Sequence, residues 1–569
     1  MKLNAKFLYI FLITTVLSCK TKVPFSYTLQ KSAIADKNMV VTAHPLASEI
    51  GLEILKKGGN AVDASIAVQY ALAVVLPVAG NIGGGGFMVL RMADGTTNTL
   101  DFREKAPGKA SRDMYLDAQK EVIPRLSIDG HLATGVPGSV AGMDAAFKRY
   151  SQLKDFAALI NPAIRLAQDG FPVSQQQADG LNRSREAFIK LNTTIPAFVK
   201  ESEWKAGDLL VQSDLAETLI RIRDQGAAGF YEGKTADLIV AEMKAGGGII
   251  SHQDLKDYEA VWRQPLVSTY KAYDIISMPP PSSGGLALSQ LLKMVAPYPL
   301  QTYGFQSAEA IHLMAEAERR VYADRAMYLG DTDFITVPVQ SLMADDYLKN
   351  RMADFDPKQA NDSEMIGAGL VTPVESEETT HFCVVDAAGN AVSLTTTLNG
   401  GYGAKTVVSG GGFLLNNEMD DFSAKPGVPN MFGLIGNEAN AIEPGKRMLS
   451  SMTPTIVTKN DDIYMVVGTP GGSTIITSVF QTILNVIEFN KSLPDAVSLG
   501  RFHHQWKPDV IQLDELIKLS PVVKKKLIEK GHNLKQRGNF GRVEAILKRA
   551  DGRLEGAADV RGDDDARGF

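Results

Sequence analysis

Cysteine is almost missing from this 569-residue chain, which has two, Cys19 and Cys383. A disulfide framework is therefore excluded, and stability must come from packing. Beyond the N-terminus, no stretch reaches the roughly 20 apolar residues that a membrane-spanning helix needs. Blocks of one charge are missing too: 59 basic residues face 65 acidic ones, for a formal net charge of −6. That balance argues against nucleic acid as the main partner and leaves a small-molecule ligand as the expectation. Nucleotide and metal signatures are also absent. Gly83-Gly84-Gly85-Gly86 lacks both the Lys-Ser/Thr ending of a P-loop and the Gly-x-Gly-x-x-Gly spacing of a dinucleotide turn, and reads as a tight turn. His503-His504 has no cysteine or further histidine at zinc-ligand spacing. Asp563-Asp564-Asp565 lacks the register of a calcium loop and reads as solvated charge. No metal or organic cofactor is expected. What the chain does have is 44% apolar composition, enough for a large core.

The first residues carry a targeting pattern. Lys2 and Lys6 precede an apolar run over residues 7–17 that is too short for a permanent span, which predicts a signal peptide over 1–18. Val16-Leu17-Ser18-Cys19 resembles a bacterial lipobox, in which the cysteine is lipidated and becomes the new first residue. The expectation is an exported protein, lipid-anchored on the periplasmic side of a bacterial membrane, with residues 19–36 as a polar tether. With lipid on Cys19, Cys383 has no cysteine to pair with.

Folding is expected to start near Met39, where Met39-Val40-Val41-Thr42-Ala43 predicts a short strand. Ala47, Ile50, Ile54 and Leu55 then recur at helical spacing until Gly58-Gly59. Asn60 is placed to cap a second helix, so rich in Ala, Val, Ile and Leu that packing on several sides is predicted. Between about residues 141 and 352, helical patterns such as 308–326 alternate with turns such as Met278-Pro279-Pro280-Pro281-Ser282-Ser283-Gly284-Gly285. Helices covering a core are the expectation there. Over 354–378 periodicity fades while Asp362, Glu364, Glu375, Glu377 and Glu378 accumulate, which predicts an exposed connection followed by strands.

Two β-rich runs, 379–386 and 390–398, are separated by Ala387-Ala388-Gly389, which matches a three-residue hairpin loop with glycine in the left-handed position. If Asp386 pairs with Asn390, Thr379 falls opposite Thr397, and two threonine hydroxyls become neighbours.

Thr379-Thr380-His381, Leu414-Leu415-Asn416-Asn417-Glu418-Met419-Asp420-Asp421-Phe422 and Arg447-Met448-Leu449-Ser450-Ser451-Met452 are similar to gamma-glutamyltransferases. So are Asn81-Ile82-Gly83-Gly84-Gly85-Gly86-Phe87, Asp101-Phe102-Arg103-Glu104, Gly468-Thr469-Pro470-Gly471-Gly472-Ser473 and Arg501-Phe502-His503-His504-Gln505-Trp506. The resemblance implies an α+β fold, a four-layer αββα sandwich of the N-terminal-nucleophile hydrolase class. It further implies that one precursor is cut between Glu378 and Thr379, giving a heterodimer of a large subunit (37–378) and a small catalytic subunit (379–569).

The chemistry accounts for the residue types. A threonine hydroxyl is a poor nucleophile unless a base takes its proton, and an N-terminal threonine brings its own, an α-amine with a pKa near about 7.7–8.0. The resemblance makes Thr379 the nucleophile in both maturation and catalysis, with Thr397 orienting it and the N–H groups of Gly471 and Gly472 facing the oxyanion. It matches Arg103, Ser450 and Ser451 to the α-carboxylate of a gamma-glutamyl group, and Asn399, Glu418 and Asp421 to its ammonium. Residues 424–436 resemble the lid of many bacterial members, whose gating aromatic is commonly tyrosine. Here it is Phe432, which lacks a hydroxyl to reach towards Asn399 and predicts a looser lid. Expected substrates are glutathione and related gamma-glutamyl compounds, with water or an amino acid or peptide as acceptor. A related acylase or poly-gamma-glutamate processing enzyme remains an alternative, as does a non-catalytic binding lipoprotein, which failure to self-cleave would favour.

Overall fold

The computed structural model describes residues 25–367 and 379–569. The expected signal peptide, Cys19 and Glu378 lie outside the described residues.

Two seven-stranded antiparallel sheets stack face to face. From edge to edge the first runs Asp565–Gly568, Met39–Thr42, Thr379–Val385, Ala391–Thr397, Gly85–Arg91, Thr97–Asp101 and Val261–Arg263. The second runs Ser32–Ala35, Leu554–Ala558, Glu544–Lys548, Asp462–Gly468, Thr455–Lys459, Tyr273–Ser277 and Leu266–Tyr270. Pleating sends successive side chains to opposite faces. Val40, Phe382, Val384 and Leu394 join Ile54, Val62 and Ile66 of the covering helices. Val41, Cys383 and Val385 point the other way, to Ile456, Val466 and Ile546 of the second sheet. That sheet's outer face, with Val457, Met465 and Val467, packs on Leu288, Ile311, Val479 and Phe480. The layers are therefore α, β, β and α, as the family resemblance implies. Burial on both faces explains why these strands read as near-continuous apolar runs.

The helix Ala61–Val75 begins at Asn60, whose side chain accepts from Val62 N and Asp63 N in a complete capping box, and all 15 of its residues are buried. The hairpin has the predicted register, with Thr379 opposite Thr397, and Gly389 takes the left-handed conformation at φ 90°. Asp386 locks the turn: Oδ1 accepts from Ala388 N (3.0 Å) and Asn390 N (2.9 Å), and Oδ2 accepts from Ala61 N (2.8 Å), tying the hairpin to the helix start.

Four expectations change. The expected helical middle also holds the strands Val261–Arg263, Leu266–Tyr270 and Tyr273–Ser277, each too short for a clear period. Beyond Thr379, the strands are joined by the helix Thr474–Ile487, whose β-branched, almost wholly buried sequence hides the helical period. Gly85 and Gly86 are strand residues rather than a turn, and the run needs glycine because backbones approach closely: a Cβ on Gly84 would sit 2.0 Å from Thr397 O. Asp563-Asp564-Asp565 is not solvated charge. Asp564 and Asp565 are fully buried, neutralised by Arg542 (3.0 Å) and Arg567 (2.8 Å), and Asp565 also accepts from Gln30 N at 2.7 Å. Arg567 is a near neighbour of Asp565, but Arg542 and Gln30 lie far away along the chain, so local reading misses the burial. In the acidic connection Asp362 and Glu364 are exposed, as expected, and the part from 368 onwards lies outside the described residues. Among the described residues no helix is long and apolar enough to cross a membrane.

Candidate active site

Thr379 opens a central strand of the first sheet, and its Oγ1 lies 3.4 Å from Thr397 Oγ1. Thr397 Oγ1 accepts from Asn399 N at 2.7 Å, and its hydroxyl lies between Thr379 Oγ1 and the Glu418 carboxylate, with which it also hydrogen-bonds. Asn399 adopts φ 74°, a left-handed conformation that asparagine tolerates better than most residues, and its Nδ2 donates to Asn417 O at 3.0 Å. Facing the threonines, Gly471 (φ 135°) and Gly472 (φ 50°) precede the helix Thr474–Ile487. A Cβ on Gly472 would meet Phe432 Cδ1 at 2.5 Å, so glycine is required there. Among the described residues neither glycine N–H donates to another group, which leaves both available beside a helix N-terminus where negative charge is favoured.

Arg103 is buried in a nest of acids. Its Nη2 pairs with Asp421 at 2.5 Å, its Nη1 lies 2.6 Å from Glu418, and Glu104 stands 3.6 Å away. Burial opposes its charge, but Glu418 and Asp421 outweigh that effect and hold its pKa above the usual guanidinium value. The same burial pushes Glu104 up to about 8, Glu418 well above the carboxylate range and Asp421 upwards, with Arg103 pulling each back. Ser450 Oγ accepts from Met452 N at 3.1 Å, and Ser451 Oγ accepts from Arg325 Nη2 at 3.1 Å. Each hydroxyl therefore keeps its hydrogen for an incoming anion.

The segment carrying Phe432 closes over this arrangement. Asn430 Nδ2 donates to Asp421 Oδ1 at 3.0 Å, Met431 N to Asp420 Oδ2 at 2.8 Å and Gln505 Nε2 to Gly433 O at 3.0 Å. Arg103, Thr379, Thr397, Asn399, Asp421, Phe432, Ser450, Ser451 and Gly472 all line one cleft. Glu418 sits behind Arg103, and Gly471 adjoins Gly472. The cleft has a volume of only about 20 Å3, room for about one water. Any ligand larger than a water therefore requires part of this lining to move.

Sequence reasoning missed four contributors. Glu104 was visible only as part of a motif. Tyr322 and Arg325 lie on the helix Ala308–Tyr328, from which Tyr322 Oη donates to Ser473 O and Arg325 reaches Ser451. The dense charge on that otherwise buried helix was the available signal. Met431 contacts Asn399 Nδ2 through its sulfur at 3.7 Å. His312, Glu316 and His532 could together approach a metal ion. In the fold, however, His312 Nδ1 and His532 Nε2 hydrogen-bond each other at 2.7 Å, and Arg319 and Arg320 hold the Glu316 carboxylate. His503 is likewise engaged, with Thr477 Oγ1 at 2.9 Å and Gln505 Oε1 at 2.8 Å.

A threonine hydroxyl at the head of a central strand gains its base once the peptide bond before it is opened. An αββα sandwich organised round such a residue defines the class of N-terminal-nucleophile hydrolases. Within that class, the family profile described as Gamma-glutamyltranspeptidase matches residues 47–569. The chain is 45% identical over 548 residues to a glutathione hydrolase proenzyme of Escherichia coli (strain K12), covering 95% of this chain and 94% of that protein. It is similar in structure to the cephalosporin acylase from Bacillus halodurans, with TM-score 0.82 and 26% identity over 97% of this chain and 99% of that one. Helicobacter pylori gamma-glutamyltranspeptidase gives TM-score 0.57 and 47% identity over 60% of this chain and 97% of that one. The chain belongs to the gamma-glutamyltranspeptidase family.

The acid nest sets a pH dependence. The folded chain keeps the Glu104 proton up to about pH 8, whereas the unfolded chain sheds it near 4.5, so stability from this group is full below 4.5 and is lost as pH rises through 8. Glu104→Gln fixes the neutral form. Thermal unfolding between about pH 5 and 8.5 should show the Tm of the unmodified protein falling relative to the variant. Parallel curves would mean that burial does not hold the proton.

Proposed function

We propose that this protein is a self-processing gamma-glutamyltransferase that cleaves the gamma-glutamyl amide of glutathione and related compounds, with Thr379 as its nucleophile. The observation that carries this reading is the 3.4 Å Thr379–Thr397 hydroxyl pair, set in one cleft with Gly472, Arg103 and the two serines. The printed names of the Escherichia coli and Helicobacter pylori relatives, a glutathione hydrolase proenzyme and a gamma-glutamyltranspeptidase, support the substrate and the processing.

Cleavage between Glu378 and Thr379 frees an α-amine. That amine takes the Thr379 hydroxyl proton as Oγ1 attacks the γ-carbonyl carbon. The carbonyl electrons move onto oxygen, where the N–H groups of Gly471 and Gly472 stabilise them. On collapse the C–N bond breaks, the proton passes to the leaving amine, and a gamma-glutamyl ester remains on Thr379. Water or an acceptor amine then attacks the ester carbon and gives its proton to the α-amine, which returns it to Oγ1 as the C–O bond breaks. The acid nest suits a zwitterion: Arg103, Ser450 and Ser451 take the α-carboxylate, while Glu418, Asp421 and Asn399 take the ammonium. The same donors for a free α-carboxylate favour this substrate class over the acylase alternative.

The two fragments, 37–378 and 379–569, would stay together. In the first sheet the small-fragment hairpin is flanked by Met39–Thr42 on one side and Gly85–Arg91 on the other, both from the large fragment. Lys2, Lys6, the apolar run 7–17 and Cys19 support export with a lipid anchor as part of the same proposal.

Three measurements test it. A denaturing gel with N-terminal sequencing should show two fragments, the smaller starting at Thr379, and Thr379→Ala should remain a single band without activity; a well-folded but uncut native chain would favour a binding protein instead. Phe432→Tyr adds the hydroxyl that this lid lacks and should shift the ratio of hydrolysis to transfer severalfold, so an unchanged ratio would sink the looser-lid idea. Cys19→Ser should move the protein from the membrane to the soluble fraction, and continued membrane retention would refute lipidation.

A further inference from the structure

The chain joins the fold earlier than a tether over residues 19–36 would allow. Ser32–Ala35 pairs with Leu554–Ala558 as an edge strand of the second sheet. Before it, Lys31 Nζ donates to Asp559 O (2.8 Å), Gly562 O (2.6 Å) and Asp564 O (2.7 Å), and Gln30 N donates to Asp565 Oδ1 at 2.7 Å. Tyr27 Oη donates to Pro172 O at 3.1 Å, and its ring meets that of His44 edge-on at 4.9 Å. Phe25 and Tyr27 pack, half-buried, against the apolar core between the first sheet and its covering helices. Six residue steps separate Cys19 from Phe25.

Apolar side chains surround this point of entry. Pro172, the acceptor of the Tyr27 hydroxyl, pairs with Leu209 in a two-stranded ribbon. Leu209 and Val211 are 38% and 40% exposed, whereas Leu210 between them is 1% exposed, so alternation turns both outwards on one face of the ribbon. Leu29, two residues beyond Tyr27, is 49% exposed. Tyrosine, an apolar ring with a polar tip, suits the boundary between water and hydrocarbon.

We propose that, with lipid on Cys19, this entry face, marked by Tyr27, Leu29, Leu209 and Val211, lies on the surface of the membrane that holds the lipid. The inference rests on the lipid-anchor part of the proposed function. Six residues span at most about 20 Å even when fully extended. A compact chain of this length is about 60 Å across, so the tether cannot pass around it. The membrane that takes the lipid must therefore lie against the side where Phe25 leaves the fold. On that side Leu29, Leu209 and Val211 meet the boundary of headgroups and acyl chains, where their exposed surface leaves water. Three partly exposed side chains orient the protein but are too few to retain it, and retention belongs to the lipid.

The test uses the full chain carrying its lipid, bound to vesicles of phosphatidylethanolamine and phosphatidylglycerol that contain a lipid spin-labelled near its headgroup. Cys383 is buried and Cys19 carries the lipid, so an introduced cysteine alone takes a fluorophore. Leu29→Cys, Leu209→Cys and Val522→Cys are compared. Val522, 65% exposed, stands on the helix Pro521–Glu529, whose Leu527 packs in the opposite helical layer. Quenching should be severalfold stronger at Leu29 and Leu209 than at Val522. Equal quenching at all three positions, or stronger quenching at Val522, overturns the assignment of the face while the anchor stands. The lipid-free Cys19→Ser form should be quenched at none of them, and quenching there would overturn the purely orienting role. A full chain that does not sediment with the vesicles overturns the anchor, and the face with it.

Discussion

The site depends on the register of one hairpin. Asp386 gathers the turn amides and the start of the helix Ala61–Val75 on a single carboxylate, and so fixes which residues face each other along the paired strands. Side chains alternate strictly, so a slip of one residue would turn Thr397 to the opposite face and leave Thr379 without its partner. Because the hairpin sits between strands from the other half of the chain, the same register also aligns Gly85 and Gly86 beneath Thr397 and Thr396. The placement of the Thr379 hydroxyl is thus a property of the whole sheet.

Against that rigid frame, the electrostatics of the cleft are deliberately unbalanced. A buried arginine among three acids is costly to assemble, since each charge loses its water and the acids repel one another. Protons retained on the acids relieve part of that cost, as the raised Glu104, Glu418 and Asp421 values indicate. Arg325, lowered to about 10 by burial, adds a second cation behind Ser451. A ligand that carries both signs can pair its anionic end with the cations and its cationic end with the acids while leaving the net charge of the nest unchanged.

Much of this was legible in the sequence, for identifiable reasons. The hairpin, the Asn60 cap and the opposition of Thr379 and Thr397 follow from local rules of turn chemistry and strand alternation. The family resemblance brought Arg103, Ser450, Ser451 and Phe432 into the reckoning, and they do share one cleft. What was hidden depends on long-range neutralisation or on burial from all sides. Asp564 and Asp565 looked solvated because Arg542 and Gln30 lie far away along the chain. Tyr322 and Arg325 belong to a helix whose polar residues point inwards, and the helix Thr474–Ile487 is too uniformly apolar to show a period.

The interleaving of strands from both halves has a thermodynamic consequence. While the backbone is continuous, folding is a unimolecular search with every sheet partner tethered. The proposed cut before Thr379 would remove the tether yet leave the pairing with Met39–Thr42 and Gly85–Arg91 in place. From then on recovery from unfolding is a second-order encounter, its rate set by concentration, and the molecule's persistence is governed by how slowly it opens. Such a chain has one easy opportunity to fold, and it takes that opportunity before it becomes an enzyme.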